Sequence, residues 1–318
     1  MKCLDIFAGI GGFHLGLEQA GHTVIGAIEN DKYKLAVYTR RFPDTKIWHD
    51  VNKVKTEELP DADIYAAGCP CPAFSTAGIG RGFTDPRGKV FFEIFRLAQE
   101  RRPRYILIEN VKGLLSNNAG NDFARILAKM DEIGYDAEWQ VLDTKYFLPQ
   151  TRERVFLVGH ARDRPFRQIF PVGEISGKPI GTQRKAPKKE KRVHTPLCGT
   201  LDKNYQKGGS TRTMIVTPKL NALLPNSFGR KIYDTKFDRR GVYDGKHVRR
   251  LTPIECARIQ GFPDNWCDNL SDSRQYACYG DAVSVPVVKY IAENLHDAGS
   301  LDTNKPPKIF SNDKPGLF

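Results

Sequence analysis

The sequence has no apolar run long enough to cross a membrane, and no secretory leader pattern follows Met1. A spanning helix needs about 20 mostly apolar residues, so we expect no membrane contact and a cytoplasmic protein. Disulfide patterning is also missing, because the seven cysteines are an odd number scattered over 318 residues. This usage fits a reducing compartment rather than a secreted, cross-linked protein.

Acidic residues are scarce in only one part of the chain. Residues 161–250 hold 22 Lys and Arg against 7 Asp and Glu, whereas the other residues hold 27 against 30. A solvated surface spreads its charges, so this concentration favours a lobe that binds a polyanion. The alternative for residues 184–192 is a flexible basic loop.

The pattern changes near residue 165. Up to that point apolar strands alternate with helical patterns, which predicts a parallel α/β sheet. Residues 166–265 have short β-like apolar runs among Pro, Gly, Lys and Thr, and they predict a small irregular β-rich domain. We expect residues 266–300 to return to the first domain and residues 301–318 to form a disordered tail.

A glycine turn follows the first predicted strand, residues 4–7, and leads into a helix at residues 13–20. The next strand, residues 23–28, ends on Glu29. Glycines allow close backbone approach to a ligand, and an acid at this place can bind both hydroxyls of a ribose. The pattern does not distinguish NAD from S-adenosylmethionine, and a purely structural unit is also compatible with it.

Cys71 lies between Pro70 and Pro72, directly after a predicted strand. Because proline fixes φ, a side chain held between two prolines has a defined direction, as a nucleophile needs. A cysteine-rich turn or half of a metal site is the alternative. Cys69 and Cys71 form C-x-C without a second pair or a His cluster at zinc spacing, which disfavours metal.

Polar side chains follow or precede the later predicted strands. Glu109 follows the strand at residues 105–108, where parallel sheets bind ligands, although a cap or ion-pair role fits equally. Gln150, Arg152 and Arg154 precede the strand at residues 155–158, and alternation predicts one shared face. That face suits recognition of an anion or a base edge, and surface ion pairing is the alternative. Thr252 is the predicted N-cap of a helix that ends at Gln260.

Eight of these blocks together resemble the DNA (cytosine-5)-methyltransferase family, of the bacterial or phage modification type. In the family's order they are residues 5–13 (DIFAGIGGF), Glu29, Asp50, residues 70–75 (PCPAFS), 109–111 (ENV), 150–154 (QTRER), 250–263 and 280–283 (GDAV). The resemblance covers nearly the whole chain. It implies a doubly wound, Rossmann-like domain dependent on S-adenosylmethionine, with a smaller target-recognition domain.

The resemblance also implies residue roles. Cys71 would add to C6 of a flipped-out cytosine, Glu109 would donate at N3, and Asn110 would brace the nucleophile turn. Arg154 would orient the base, and Arg152 would contact the base or its phosphate. The implied cofactor residues are Phe7, Gly9, Ile10, Gly11, Gly12, Glu29, Asn30, Asp50, Val51, Pro70, Val90, Asp281, Ala282 and Val283.

For DNA the expected contacts combine the loop after Cys71 with the basic segment. They are Ser75, Arg81, Arg87, Gln150, Lys207, Gly208, Gly209 and Arg249. The expected partners are double-stranded DNA and a restriction endonuclease that acts separately. We expect a monomer and no metal.

Two positions depart from the family pattern. Pro72 replaces the usual Gln after the nucleophile, and Asp281 replaces the usual Asn beside the methionine end of the cofactor. An acid at residue 281 predicts weaker cofactor binding or a changed preference among sulfonium analogues. Two alternative functions stay open: a tRNA cytosine methyltransferase and a catalytically idle DNA-binding protein.

Overall fold

The computed structural model describes residues 1–69, 88, 90–165, 168–170, 242–243, 248–249 and 251–295, the two short pairs by backbone alone. The chain divides into two compact units. The larger comprises Met1–Leu142, Glu153–Ile175 and Val283–Phe310, and the smaller comprises Asp143–Arg152, Ser176–Ala282 and Ser311–Phe318. The domain boundaries expected from the sequence stay a prediction.

A seven-stranded sheet forms the centre of the larger unit, with the order β3-β2-β1-β4-β5-β7-β6. Strands β3, β2, β1, β4 and β5 are parallel neighbours, and β7 runs antiparallel to β5. The order reverses at the β1–β4 boundary, which is the topological switch point of such sheets. The strands are β1 (Lys2–Ile6), β2 (Thr23–Ile28), β3 (Lys46–Trp48), β4 (Ile64–Gly68), β5 (Tyr105–Val111), β6 (Tyr135–Asp143) and β7 (Glu153–Ala161).

Helices alternate with these strands, as the sequence predicts. They are α1 (Gly12–Gln19), α2 (Lys32–Arg41), α3 (Phe92–Arg101), α4 (Asn121–Glu132) and, late in the chain, α7 (Val285–Ala292). Helix α7 packs against α1 at Gly16, where an added Cβ would lie 2.7 Å from the side chain of Val288. The close approach therefore requires glycine.

The central strands are mostly apolar because helices cover the sheet. Leu4, Ile6, Tyr65 and Ile106 are fully buried in the main core cluster. Continuous rather than alternating hydrophobicity is what a buried parallel sheet needs. The prediction of an α/β sheet is confirmed.

The described part of the smaller unit contains a short antiparallel pair and two helices. Strand β8 (Val242–Tyr243) pairs with β9 (Val248–Arg249), and α5 (Pro253–Gln260) and α6 (Asp272–Asp281) follow. Thr252 caps α5, and Glu255 completes a reciprocal capping box. The predicted start and end of α5 are confirmed, whereas α6 is not predicted from the sequence.

Within the described residues, no helix is both long enough and apolar enough to cross a lipid bilayer.

Candidate functional site

The glycine turn after β1 has backbone conformations that favour glycine. Gly9 and Gly11 have φ values of 58° and 87°, and a Cβ on Gly11 would overlap the ring of Phe42. Phe7 also has a positive φ, 58°, which costs a residue with a side chain about 1–3 kcal/mol. Strand β1 therefore ends at Ile6, one residue before the predicted end, and the turn opens its backbone at the switch point.

Glu29 holds this turn against the end of β2. Its Oε2 accepts a hydrogen bond from Gly9 N at 2.7 Å, and its Oε1 accepts from Asn30 N and Asp31 N, both at 2.8 Å. A carboxylate offers about four acceptor positions, so roughly one is left for a ribose hydroxyl. The predicted binding of both hydroxyls requires one of the backbone bonds to be shared.

Asp50 lies two residues beyond the end of β3. Its Oδ1 accepts from the backbone N and the Nδ2 of Asn52, at 3.1 and 2.9 Å, and its Oδ2 lies 3.7 Å from Lys53 Nζ. The hydrogen bonds from Asn52 lower the pKa of Asp50. The carboxylate therefore stays ionised and is half-exposed, ready to accept from an amino group.

The remaining expected cofactor residues of the larger unit frame the turn and its surroundings. Ile10 is buried, and Gly12 begins α1. Val51 is buried in the main core cluster, and Val90 packs against that cluster. Asn30 is exposed at the end of β2.

Strand β5 places Glu109 beside the end of β4. Glu109 pairs in register with Gly68, the last residue of β4, and with Phe156 of β7. The predicted strand ends at Ile108, but pairing with β7 extends β5 to Val111. Glu109 therefore lies within a rigid, doubly paired strand rather than in a loop.

An arginine on β7 lies against this carboxylate. Arg154 Nε is 3.1 Å from Glu109 Oε1, and both side chains are largely buried. The two residues are diagonal neighbours on one face, because Arg154 pairs in register with Val111. The contact is an ion pair without hydrogen-bond alignment, and Glu109 Oε1 has no hydrogen-bond partner within the part of the chain described.

Asn110 points to the opposite face of β5, since side chains alternate along a strand. It is buried, and its Oδ1 accepts from Val111 N at 2.8 Å. Its Nδ2 is also buried and has no hydrogen-bond partner among the described residues. A buried donor without a partner costs about 1–3 kcal/mol, so this amide is free to bind another group.

The smaller unit includes Arg152 and Gln150. Strand β7 begins at Glu153, so the alternation used to predict one shared face applies to Arg154 alone. Arg152 is buried and donates to Gly280 O through both terminal nitrogens and to Ala282 O at 2.8 Å through Nη2. It caps the C-terminal end of α6. Gln150 is fully buried.

The segment at residues 280–283 crosses the division between the units. Asp281 is the exposed last residue of α6, and Ala282 is its C-cap. Val283 belongs to the larger unit and is buried.

Several expected site residues lie outside the described residues. They are Pro70, Cys71, Ser75, Arg81, Arg87, Lys207, Gly208 and Gly209, together with the departure at Pro72. Arg249 is described only by its backbone, in β9.

Asp5 is a fully buried carboxylate in β1 for which the sequence predicts no role of its own. Its Oδ2 accepts from His14 N at 3.2 Å in the first turn of α1, and its Oδ1 has no hydrogen-bond partner within the described ranges. Complete burial raises the pKa of Asp5 well above its usual range. The feature of the sequence that indicates a role for Asp5 is the presence of an acid within the otherwise apolar part of β1.

A metal centre has no support in the described part of the chain, where no group of three or more His, Cys, Asp or Glu side chains could hold an ion.

Comparison with known families finds one family model that matches most of the chain. It is the C-5 cytosine-specific DNA methylase model, which matches residues 1–204 and 178–297. Among curated relatives, type II methyltransferase M.NlaX of Neisseria lactamica is 34% identical and covers 96% of this chain and 99% of its own length. Type II methyltransferase M.HhaI of Haemophilus parahaemolyticus is 32% identical, with 93% and 94% covered.

Solved structures share the fold. A DNMT2 mutant from Spodoptera frugiperda superposes with a TM-score of 0.65 at 21% identity, covering 92% of this chain and 99% of that chain. A putative DNA modification methyltransferase from an Escherichia coli prophage has a TM-score of 0.62 at 20% identity, with 92% and 98% covered.

Proposed function

The chain belongs to the C-5 cytosine-specific DNA methylase family and is a DNA (cytosine-5) methyltransferase, and from this premise we propose how its residues act. The resemblance on which the sequence-based expectation rested is confirmed. The proposed reaction is methylation at C5 of a flipped-out cytosine in a specific DNA sequence, through a covalent adduct between Cys71 and C6.

S-adenosylmethionine, the proposed cofactor, supplies an electrophilic methyl group. The residues of the larger unit fit this molecule on two grounds. Gly9 and Gly11 have no Cβ, so a ligand can approach the backbone of this turn closely. Glu29 keeps an acceptor position for a ribose hydroxyl. Asp50 adds an ionised acceptor for the amino group of adenine.

Cys71 is the proposed nucleophile. It follows Gly68, the end of β4, by three residues, and three residues of chain span at most about 11 Å. Its thiolate adds to C6 of cytosine, N3 gains a proton, and the ring becomes an enamine whose C5 is nucleophilic. After C5 is methylated, water removes the C5 proton and Cys71 is eliminated.

Glu109 carries the proposal, because it is a buried carboxyl group beside the end of β4 with an oxygen that lacks a hydrogen-bond partner within the described residues. In its protonated form it donates to N3 as C6 is attacked, and such general acid catalysis is worth about 10²–10⁴-fold. Arg154, 3.1 Å away, fixes the carboxyl group and compensates its charge after the proton leaves.

Asn110 and Arg152 have supporting roles in this proposal. The free Nδ2 of Asn110 braces the turn that carries Cys71, on the other face of β5. Arg152 acts by shaping residues 280–282 rather than through the base contact first expected, since carbonyl groups occupy its terminal nitrogens.

A cytosine stacked in duplex DNA cannot reach these groups, so we propose that it flips out at a cost of a few kcal/mol. Residues 166–265, which carry most of the basic excess, form the proposed target-recognition domain and offset that cost through phosphate contacts. We further propose that the enzyme acts as a cytoplasmic monomer beside a separate restriction endonuclease.

The test is transfer of labelled methyl groups to mixed-sequence duplex DNA and, in parallel, to tRNA. We expect label in duplex DNA, recovered as 5-methylcytosine, and none with Cys71→Ser. Conversion sequencing of the product then gives the target site. Label in tRNA alone, or equal labelling by Cys71→Ser, contradicts the proposal, and no label in either substrate favours the idle DNA-binding alternative.

A further inference from the structure

Helix α3 makes a row of polar contacts to the connection between β3 and β4. Arg96 contacts the start of this connection, Glu100 accepts from Thr56 Oγ1 in its middle, and Arg101 pairs with Asp61 near its end. Arg96 and Glu100 are four residues apart and so are neighbours on one face of the helix, and Arg101 is its last residue. The connection is therefore fixed at several separate points.

Arg96 makes the contacts nearest to Asp50. Its Nη2 donates to Val51 O at 3.0 Å and to Val54 O at 3.1 Å, and its Nε donates to Glu93 Oε2 at 2.6 Å. Glu93, one turn earlier on α3, thus orients the guanidinium. Because one nitrogen binds two carbonyl groups of the same turn, Arg96 fixes the turn's shape as well as its position.

The turn in question spans residues 50–54. Lys53 N and Val54 N both donate to Asp50 O, at 2.9 and 3.1 Å, and close the turn from inside. Val51 and Val54 anchor it by burial in the core. Arg96 binds two other carbonyl groups of this turn, those of Val51 and Val54, so its guanidinium is an additional constraint on the backbone that presents Asp50.

We propose that Arg96 is a positioning residue that sets the affinity for the adenosine part of S-adenosylmethionine without touching it. The inference rests on the proposed cofactor site, in which Asp50, Val51 and Val90 surround the adenine. Arg96 belongs to the helix that begins just after Val90 and binds the turn that carries Asp50 and Val51. It therefore holds two walls of the adenine pocket in register.

Loss of the guanidinium should reduce the fraction of molecules whose turn is competent to bind. The apparent dissociation constant rises as the inverse of that fraction. If the competent fraction falls to about one tenth of its wild-type value, the cofactor binds about tenfold more weakly. The chemical step should change little, because the hydrogen bonds of Arg96 within the described residues go to Glu93, Val51 and Val54 and not to Glu109.

The experiment compares Arg96→Met with Arg101→Met, which removes a guanidinium from the same helix and the far end of the same connection. Calorimetry without DNA measures the dissociation constant of S-adenosylhomocysteine, and steady-state kinetics give KM for cofactor, KM for DNA and kcat. We expect Arg96→Met to raise the dissociation constant of S-adenosylhomocysteine and the KM for cofactor about tenfold. Its kcat and its KM for DNA should stay within about twofold of the wild-type values. Arg101→Met should bind like wild type, and Arg96→Lys should recover part of the loss.

Equal binding by Arg96→Met and wild type overturns the inference, as does an equal loss in Arg101→Met, which indicates general destabilisation. If Arg96→Met does not fold, Arg96→Lys and Glu93→Gln decide: weaker binding by both supports the inference, and wild-type binding by both overturns it. Failure of the wild-type protein itself to bind S-adenosylhomocysteine counts against the proposed function instead.

Discussion

Two carboxylates at the same edge of the sheet, Glu29 and Glu109, have opposite surroundings. Glu29 accepts three backbone hydrogen bonds and thereby fixes the turn around it. Glu109 has only an ion pair with Arg154 among the described residues, and its Oε1 has no hydrogen-bond partner there. Glu29 therefore uses about three of its roughly four acceptor positions on neighbouring backbone, whereas Glu109 leaves the hydrogen-bonding capacity of Oε1 unused among the described residues.

This difference is what we expect if Glu29 binds a ligand and Glu109 takes part in the reaction. A pre-organised acceptor binds without rearrangement, which favours affinity. A buried carboxyl group with spare capacity costs stability, and such a cost is typical of catalytic positions. Changes at Glu29 should therefore affect folding and cofactor binding, whereas changes at Glu109 should affect turnover.

The largest expected effect is that of Glu109→Gln on turnover. Gln keeps the shape but cannot donate an acidic proton, so kcat for methyl transfer to duplex DNA should fall by about 10²–10⁴-fold. Calorimetry should give an unchanged dissociation constant for S-adenosylhomocysteine. If Glu109→Gln has the wild-type kcat, Glu109 is not the proton donor.

Glu29→Ala should cost about 1–3 kcal/mol of unfolding free energy, because three backbone N–H groups lose their acceptor. Cofactor binding should weaken in parallel. Urea unfolding of this variant beside Glu109→Gln measures the contrast, with the greater loss expected at Glu29. If Glu109→Gln loses more unfolding free energy than Glu29→Ala, the proposed difference between the two carboxylates is wrong.

Asp5→Asn tests a third acid near the same turn by its pH dependence. Burial raises the pKa of Asp5 in the folded state, so the folded protein binds this proton more tightly than the unfolded chain, and stability falls as pH rises through that range. Asn can still accept from His14 N without the charge. Unfolding curves should therefore show that the variant gains stability over wild type towards neutral pH and loses the advantage towards about pH 4.

The smallest expected effect is that of Asp281→Asn. A negative charge at the C-terminal end of α6 opposes the helix dipole, so the exchange should stabilise by about 0.3–1 kcal/mol. If the acid also lies by the methionine end of the cofactor, as the family resemblance implies, S-adenosylmethionine should bind more tightly. Unchanged or weaker binding of S-adenosylmethionine contradicts the prediction that the negative charge of Asp281 weakens cofactor binding.

Local signals allowed accurate predictions where neighbouring residues determine the structure. Helix α5 begins and ends as predicted because Thr252, Pro253 and Gly261 act within one turn of the backbone. The glycine turn was likewise predictable from composition, since positive φ favours glycine.

Long-range partners explain what the sequence did not reveal. Strand β5 continues through Glu109 because β7, more than forty residues later, pairs with it. Arg152 binds carbonyl groups 128 and 130 residues away, so alternation along its own segment could not predict its direction. Helix α6 was missed because it has few apolar residues at helical spacing.

The covalent adduct is the central chemical claim, and trapping it tests that claim most directly. Replacing every cytosine of a mixed-sequence duplex by 5-fluorocytosine prevents loss of the C5 substituent, so the adduct with Cys71 should not resolve. We predict a denaturation-resistant complex of protein and DNA that requires S-adenosylmethionine, is absent with Cys71→Ser and forms more slowly with Glu109→Gln. If wild type forms 5-methylcytosine in ordinary DNA yet gives no such complex, the covalent account is wrong.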